Sequence, residues 1–187
     1  EAVRAICTTL PQLTLLRDRL GRSDDGPRLI AVIGFPFGAI PAELKHAEAE
    51  WAAAHGAQEL DVVPDFHSLA NNEANRFSEE LAGLCELGLP VRVVLDMARL
   101  TEEQLGLAVE ASIDAGASGL QTSNGFGPAC HPDQVQQLKA LCRNRCGIKA
   151  AGGIHSLELV VELVEAGADL IGTTSAPQLV QALRRPA

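Results

Sequence analysis

Two glycine-rich stretches near the C-terminal end of the chain have the composition of an anion cradle. Ala151-Gly152-Gly153-Ile154 follows one apolar run, and Ile171-Gly172-Thr173-Thr174-Ser175 lies at the end of the next. Paired glycines let backbone N–H groups close on a phosphate with no Cβ in the way. The hydroxyls of Thr174 and Ser175 add donors, and a helix starting after Ser175 adds its dipole. A pair of tight turns would use the same residues. The order of the two loops, however, is that of a barrel phosphate site. His155 follows the first glycine pair, where it either touches the anion or contacts a helix start.

The candidate reacting groups lie on apolar runs. The chain has only three lysines, Lys45, Lys139 and Lys149. Lys45 and Lys139 have polar neighbours on helical segments and are expected to be solvated. Lys149 stands between Ile148 and Ala150, directly before the glycine loop. A buried lysine loses its proton more easily, which suits imine formation or anion binding; a salt bridge at the barrel end is the plainer alternative. Asp61 sits inside Glu59-Leu60-Asp61-Val62-Val63. A carboxylate there needs a partner, and Lys149 across the barrel mouth would serve, either to move protons or to fix the barrel. Asp96 ends another run and is a weaker second acid or a loop cap. Cys7 is expected to be a buried, inert thiol.

These residues need strands and helices to hold them. Strands are predicted near Val3–Thr8, Leu29–Ile33, Glu59–Val63, Val91–Leu95, Gly119–Thr122, Gly147–Ala150 and Leu170–Thr173. Helices are predicted near Pro11–Leu20, Pro41–His55, Glu73–Leu87, Thr101–Ala115, Pro132–Arg143 and Ser156–Ala166, with a last one from about Pro177. Thr101 with Gln104 has capping-box spacing. Three helices close on Gly56, Gly116 and Gly167, which supply left-handed C-caps. Counting five residues on from each reaches Asp61, Gln121 and Gly172, so these should hold equivalent places near strand ends, where a barrel carries its site. The alternation implies α/β with parallel strands. An open doubly wound sheet is the competing fold, but no GxGxxG follows the first strand. We read a (β/α)₈ TIM barrel spanning residues 1–187 as one domain. Seven βα units are visible where eight are needed, and the chain opens on Glu1, so the first unit is expected to be missing from it.

Composition narrows the function. The 187-residue chain carries a net charge of -9 and only 3% aromatics with no Tyr. That disfavours nucleic acid and anionic membranes as partners. Five cysteines without a CxxC pair suggest neither disulfides nor a metal site, and a reducing cytoplasmic setting fits. No cofactor motif is visible. The apolar residues Val160, Val161 and Val164 could serve a homodimer or the core.

Five segments carry a family resemblance: Ala31-Val-Ile-Gly-Phe-Pro-Phe-Gly38, Glu59-Leu-Asp-Val-Val63, Gln121-Thr-Ser-Asn-Gly-Phe126, Lys149-Ala-Ala-Gly-Gly-Ile154 and Gly172-Thr-Thr-Ser175. In order and across essentially the whole chain they resemble deoxyribose-phosphate aldolase, as does Val3-Arg-Ala-Ile-Cys7. The resemblance implies a class I aldolase on a TIM barrel, without metal, that cleaves deoxyribose phosphate into glyceraldehyde phosphate and acetaldehyde. It implies that Asp61 is the proton-shuttling aspartate and Lys149 the second lysine, which depresses the pKa of the first. Gly125, Gly152, Gly153, Gly172, Thr174 and Ser175 look like phosphate or substrate ligands, and Cys7 matches a cysteine near the substrate pocket.

The family's Schiff-base lysine should fall at Gln121, in a segment it writes Lys-Thr-Ser-Thr-Gly. An amide nitrogen cannot form an imine. Asn124 stands where Thr is usual, and His155 where Arg is common. Three functions therefore stay open. One is an aldolase-like lyase on a small phosphorylated carbonyl compound, with Lys149 forming the imine and Asp61 moving protons. Another is a cyclase, isomerase or dehydratase in which Gln121 hydrogen-bonds a carbonyl, Lys149 stays a cation and Asp61 is the base. The third is a non-catalytic homologue that binds a phosphorylated metabolite or a partner protein.

Overall fold

The computed structural model describes residues 3–21, 26–71 and 73–184. Its seven strands are β1 (Ala5–Thr8), β2 (Arg28–Ile33), β3 (Glu59–Val62), β4 (Val91–Val94), β5 (Gly119–Gln121), β6 (Gly147–Ala151) and β7 (Leu170–Gly172). They pair in chain order, and every pair is parallel. The connections are helical: α1 (Leu10–Leu20), α2 (Ala42–Ala54), α3 (Phe66–Ala70) with α4 (Ala74–Cys85), α5 (Glu102–Asp114), α6 (Pro132–Cys142) and α7 (Leu157–Glu165), with α8 (Ala176–Leu183) after β7. This is a TIM-barrel-like α/β fold of curled parallel sheet. The expected opening at Glu1 lies outside the described residues.

The strands are short, and the central ones are buried on both faces because helices cover one side and the barrel interior the other. All four residues of β3 and all four of β4 are buried. Leu60, Val62, Val91 and Val93 face the helices with Phe77, Leu81 and Leu84 of α4. The expected caps form. Thr101 and Gln104 make the capping box at the start of α5. Gly56, Gly116 and Gly167 have φ of 94°, 92° and 111°, the left-handed turn that returns each helix to a strand.

Two elements and one side chain differ from expectation. The short helix α3 and a 3₁₀ turn at Met97–Arg99 lie in segments for which no element is predicted. Both are too brief to carry a helical period. Asp65 starts α3 by accepting from His67 N at 3.0 Å. Lys45 corrects a sharper expectation, because it is fully buried and not solvated. Its ammonium lies 2.8 Å from Glu80 Oε1, which also accepts from Asp65 N. Its methylenes pack under Gly34, where a Cβ would come within 3.0 Å of Lys45 Cε. This pair fastens the loops that follow β2 and β3 to α2 and α4. On α7, Val161 and Val164 are exposed, whereas Val160 packs against the core.

Candidate active site

The strand register alone decides which side chains meet. Cys7 pairs with Ile30, Val32 with Asp61, Asp61 with Arg92, Val94 with Gln121, and Gln121 with Lys149. Side chains alternate along a strand, so Cys7, Asp61, Arg92, Gln121 and Lys149 share one face of the sheet. Gly172 joins them through its pairing with Ala151, two residues beyond Lys149. This face is the barrel interior. The places counted from the glycine caps are therefore equivalent, as expected.

Asp61 is the hub. Lys149 Nζ lies 2.6 Å from its Oδ2, and Arg92 Nη1 donates to its Oδ1 at 2.7 Å. Asp61 is 1% exposed, Arg92 7% and Lys149 8%. Two cations thus compensate the charge of a buried carboxylate. Arg92 also reaches Glu59 Oε2 at 3.4 Å, and Glu59 is held from outside by Arg4 and Arg28. Neither Arg92 nor Glu59 was singled out from the sequence. The signal was present, since Arg92 is a charge inside an apolar strand, the same anomaly that marked Asp61.

Gln121 is 8% exposed, and its amide orientation follows from its surroundings. The Nε2 atom donates to the Ser123 carbonyl at 2.7 Å, and the reverse orientation would set two oxygens against each other. Its Oε1 is then a buried acceptor without a hydrogen-bond partner among the described residues. Such atoms are rare in native interiors.

Cys7 is a correction. The residue is exposed along the edge strand β1, not buried. Its Sγ approaches Asp61 Oδ2 at 3.4 Å. The thiol is pushed up to about 12, first by crowding of protein atoms around the sulfur and next by the Asp61 charge. Since the residue still presents surface to water, the upward direction rests most firmly on the carboxylate, which repels a thiolate. Asp96 is buried but stands apart from the Asp61 cluster, with Arg99 Nε 2.9 Å away. Its side chain caps no backbone N–H of the 3₁₀ turn.

The two glycine-rich loops come together as expected. Gly152 and Gly153 have φ of 105° and 66°. A Cβ on Gly153 would lie 2.7 Å from Ala129 Cβ, so the loop needs glycine for space as well as for conformation. Thr173 Oγ1 donates to Ile154 O at 2.6 Å, and His155 Nδ1 lies 2.8 Å from Ser175 Oγ. His155 and Ser175 thus join the loops after β6 and β7. Thr174 is exposed beside them. Gly172 backs onto Lys149, because a Cβ there would meet Lys149 Cε at 2.8 Å.

The mouth is roofed from the other side. Asn124 Nδ2 donates to Pro36 O at 2.9 Å, and Asn124 Oδ1 accepts from Phe126 N. That amide ties the loop after β5 to the loop after β2, a reach that a threonine hydroxyl lacks. Gly125, with φ of 88°, makes the turn from Asn124 to Phe126. Phe126 packs edge-on against Phe35 and Phe37 with centroids 5.7 and 5.6 Å away.

No protein-family model matches the chain. Individual relatives do. The deoxyribose-phosphate aldolase of Thermococcus kodakarensis is 35% identical over 182 residues, covering 95% of this chain and 81% of its own. That of Microcystis aeruginosa is 40% identical over 151 residues, with coverages of 80% and 67%. Among solved structures, the aldolase QR15 superposes with a TM-score of 0.91 at 32% identity, over 97% of this chain and 81% of its own. The tetrameric deoxyribose phosphate aldolase of Aeropyrum pernix gives 0.85 at 34% identity, over 97% and 77%. With the seven-stranded parallel fold they share, these relatives settle the kinship: the chain belongs to the deoxyribose-phosphate aldolase family.

Proposed function

We propose that this chain is an aldolase-like lyase that acts on a small phosphorylated carbonyl compound, deoxyribose phosphate or a close analogue, with Lys149 as its amine and Asp61 as its proton carrier. The observation that carries the reading is the 2.6 Å contact between Lys149 Nζ and Asp61 Oδ2, buried beside the glycine loops. An ammonium has no free electron pair. Passing its proton to Asp61 along that contact frees the amine to attack the substrate carbonyl carbon. Asp61 returns that proton to the hydroxyl of the carbinolamine, which leaves as water and gives an iminium, so Asp61 is again a carboxylate. Asp61, through a water molecule, takes the proton from the substrate's β-hydroxyl as the neighbouring carbon–carbon bond breaks. The enamine left behind is reprotonated and hydrolysed, which returns the amine.

In this reading Gln121 replaces the family's iminium-forming lysine and positions substrate in its stead. Its free Oε1 accepts a hydrogen bond from the carbinolamine N–H or a substrate hydroxyl, the donor that the buried oxygen lacks. The loops at Gly152–Gly153 and Gly172–Ser175, with Gly125 and His155, hold the phosphate. Asp96, already paired with Arg99, and Cys7, a proton-bearing thiol, take no proton from substrate.

The test is to incubate the protein with acetaldehyde, reduce with borohydride and map the adduct by mass. An adduct on Lys149, abolished in Lys149→Met, is the expected result. No adduct, with turnover of a carbonyl substrate that Asp61→Asn abolishes, would replace the imine by acid–base chemistry. No turnover of any kind, with phosphate raising the melting temperature, would leave a binding protein.

A further inference from the structure

The turn from α6 to β6 carries chemistry that the candidate site does not use. Cys142 is the last residue of α6, and Cys146 immediately precedes β6. Between them, Arg143 and Asn144 have φ of 50° and 60°, two consecutive non-glycine residues in the left-handed region. Side chains other than glycine adopt that conformation only where the surroundings hold them in it. Arg145 provides the hold. Its backbone N–H and its Nε both donate to Cys142 O, at 2.9 and 3.1 Å, and its guanidinium grips Glu110 of α5 at 2.6 and 2.7 Å. The tight turn folds Cys146 back over the helix end and brings the two sulfurs to 3.5 Å.

We propose that Cys142 and Cys146 are a thiol-oxidation site, at which a peroxide converts the pair to an intramolecular disulfide. Cys146 is partly open to solvent, whereas Cys142 is fully buried, so the oxidant meets Cys146 first. Cys146 attacks as the thiolate and displaces water from the peroxide, which leaves a sulfenic acid. Cys142 then attacks that sulfur, water departs, and the disulfide forms. One peroxide is reduced to two waters while two thiols become one disulfide. The sulfurs must close from 3.5 Å to the bond length of roughly 2 Å, a movement that side-chain rotation and a small shift of the turn supply. The Cys146 thiol is drawn down, chiefly by its hydrogen-bonding contact with the Cys142 sulfur and further by the Arg145 guanidinium, which agrees with Cys146 as the attacking member. Cys7, Cys85 and Cys130 have no sulfur neighbour of this kind among the described hydrogen bonds. The bond would clamp α6 to β6, the strand that carries Lys149.

Trypsin makes the test direct, because it cuts after Lys139, Arg143, Arg145 and Lys149 and so places the two cysteines in separate peptides. The reduced, freshly desalted full chain is treated with equimolar hydrogen peroxide, quenched with catalase, alkylated and digested. The expected product is peptide 140–143 joined to peptide 146–149, two hydrogens lighter than the separate thiols and released by dithiothreitol. In Cys142→Ala, dimedone should instead capture a sulfenic acid on Cys146. The proposal is overturned if peroxide leaves both thiols alkylatable, if it carries Cys146 to sulfinic acid with Cys142 still free in the unaltered chain, or if the link forms only between molecules. The wild-type mapping needs no variant to fold, and it gives the same answer whether or not the chain proves to be a lyase.

Discussion

Gln121→Lys places at position 121 the lysine that the resemblance of its segment implies. Gln121 and Lys149 are register partners on adjacent strands, and adjacent strands run about 4.8 Å apart. Two lysines there would hold their ammonium groups at roughly 6 Å. At an effective dielectric of about 20 their repulsion is about 3 kcal/mol, so one of the two would give up its proton about a hundredfold more readily. Asp61 already bonds Lys149, so the new amine, having no carboxylate of its own, is the one expected to be free. The substitution also removes the buried Oε1 that lacks a donor. After borohydride reduction with acetaldehyde, the adduct should map to position 121. Release of glyceraldehyde phosphate from deoxyribose phosphate, followed in a coupled assay, should rise by at least tenfold. The reasoning is refuted if the variant folds, by circular dichroism, yet the adduct stays on Lys149 and the rate is unchanged.

Three further outcomes follow from the same geometry. Arg92→Met should cost about 3–5 kcal/mol and lower the melting temperature by roughly 10 °C, because it strands Asp61 and Glu59 with one cation fewer in the barrel; a loss under about 1 kcal/mol in urea titration would show that Arg92 is dispensable. Gly172→Ala should leave the fold intact but displace Lys149, whose Cε lies 2.8 Å from the new methyl, and cut the yield of the acetaldehyde adduct about tenfold; an unchanged yield would mean that the lysine is not pinned as the structure shows. The Cys7 thiol, raised to about 12 from the ordinary 9.0 of a free thiol, holds its proton more tightly folded than unfolded. Its contribution is therefore complete below about pH 9 and is lost between about pH 9 and 12. Iodoacetamide at pH 8 should accordingly label Cys146 well before Cys7, and the reverse order would contradict both directions of shift.

How much of this could be read from the chain differs by residue, for physical reasons. Strand order, helix caps and the shared face of Asp61, Gln121 and Gly172 were legible, because a left-handed glycine fixes where each strand begins and the period of two does the rest. The Asp61–Lys149 contact was legible for a similar reason: each charge interrupts an apolar run, and such charges must be compensated. Lys45 was not. Its neighbours His46 and Glu48 are polar, but its partner Glu80 lies on another helix, and no local pattern reports that pairing. Cys7 misled in the opposite way, since an apolar strand predicts burial and only the sheet's edge decides exposure. The role of Asn124 was hidden too, because its hydrogen bond to Pro36 spans 88 residues of sequence.

The arrangement around Asp61 bears on why the side chain at position 121 is separable from the Asp61–Lys149 contact. One carboxylate oxygen is committed to Arg92, which in turn is braced by Glu59 and, beyond it, by Arg4 and Arg28. The other oxygen faces Lys149 and Cys7. Breaking the first set should destabilise the barrel, since it leaves buried charge without a partner. Altering the second changes which atom holds a proton at the mouth and leaves the scaffold charges paired. Gln121 belongs to neither set: it touches no charged group among the described hydrogen bonds and is anchored through the Ser123 carbonyl alone. A neutral side chain can therefore stand at position 121 without disturbing the charges that hold the barrel. The network of Asp61, Arg92 and Lys149 balances its charge with or without an amine at 121. What separates the readings is the one polar atom that the network leaves unsatisfied, Gln121 Oε1, and the donor that a substrate brings to it.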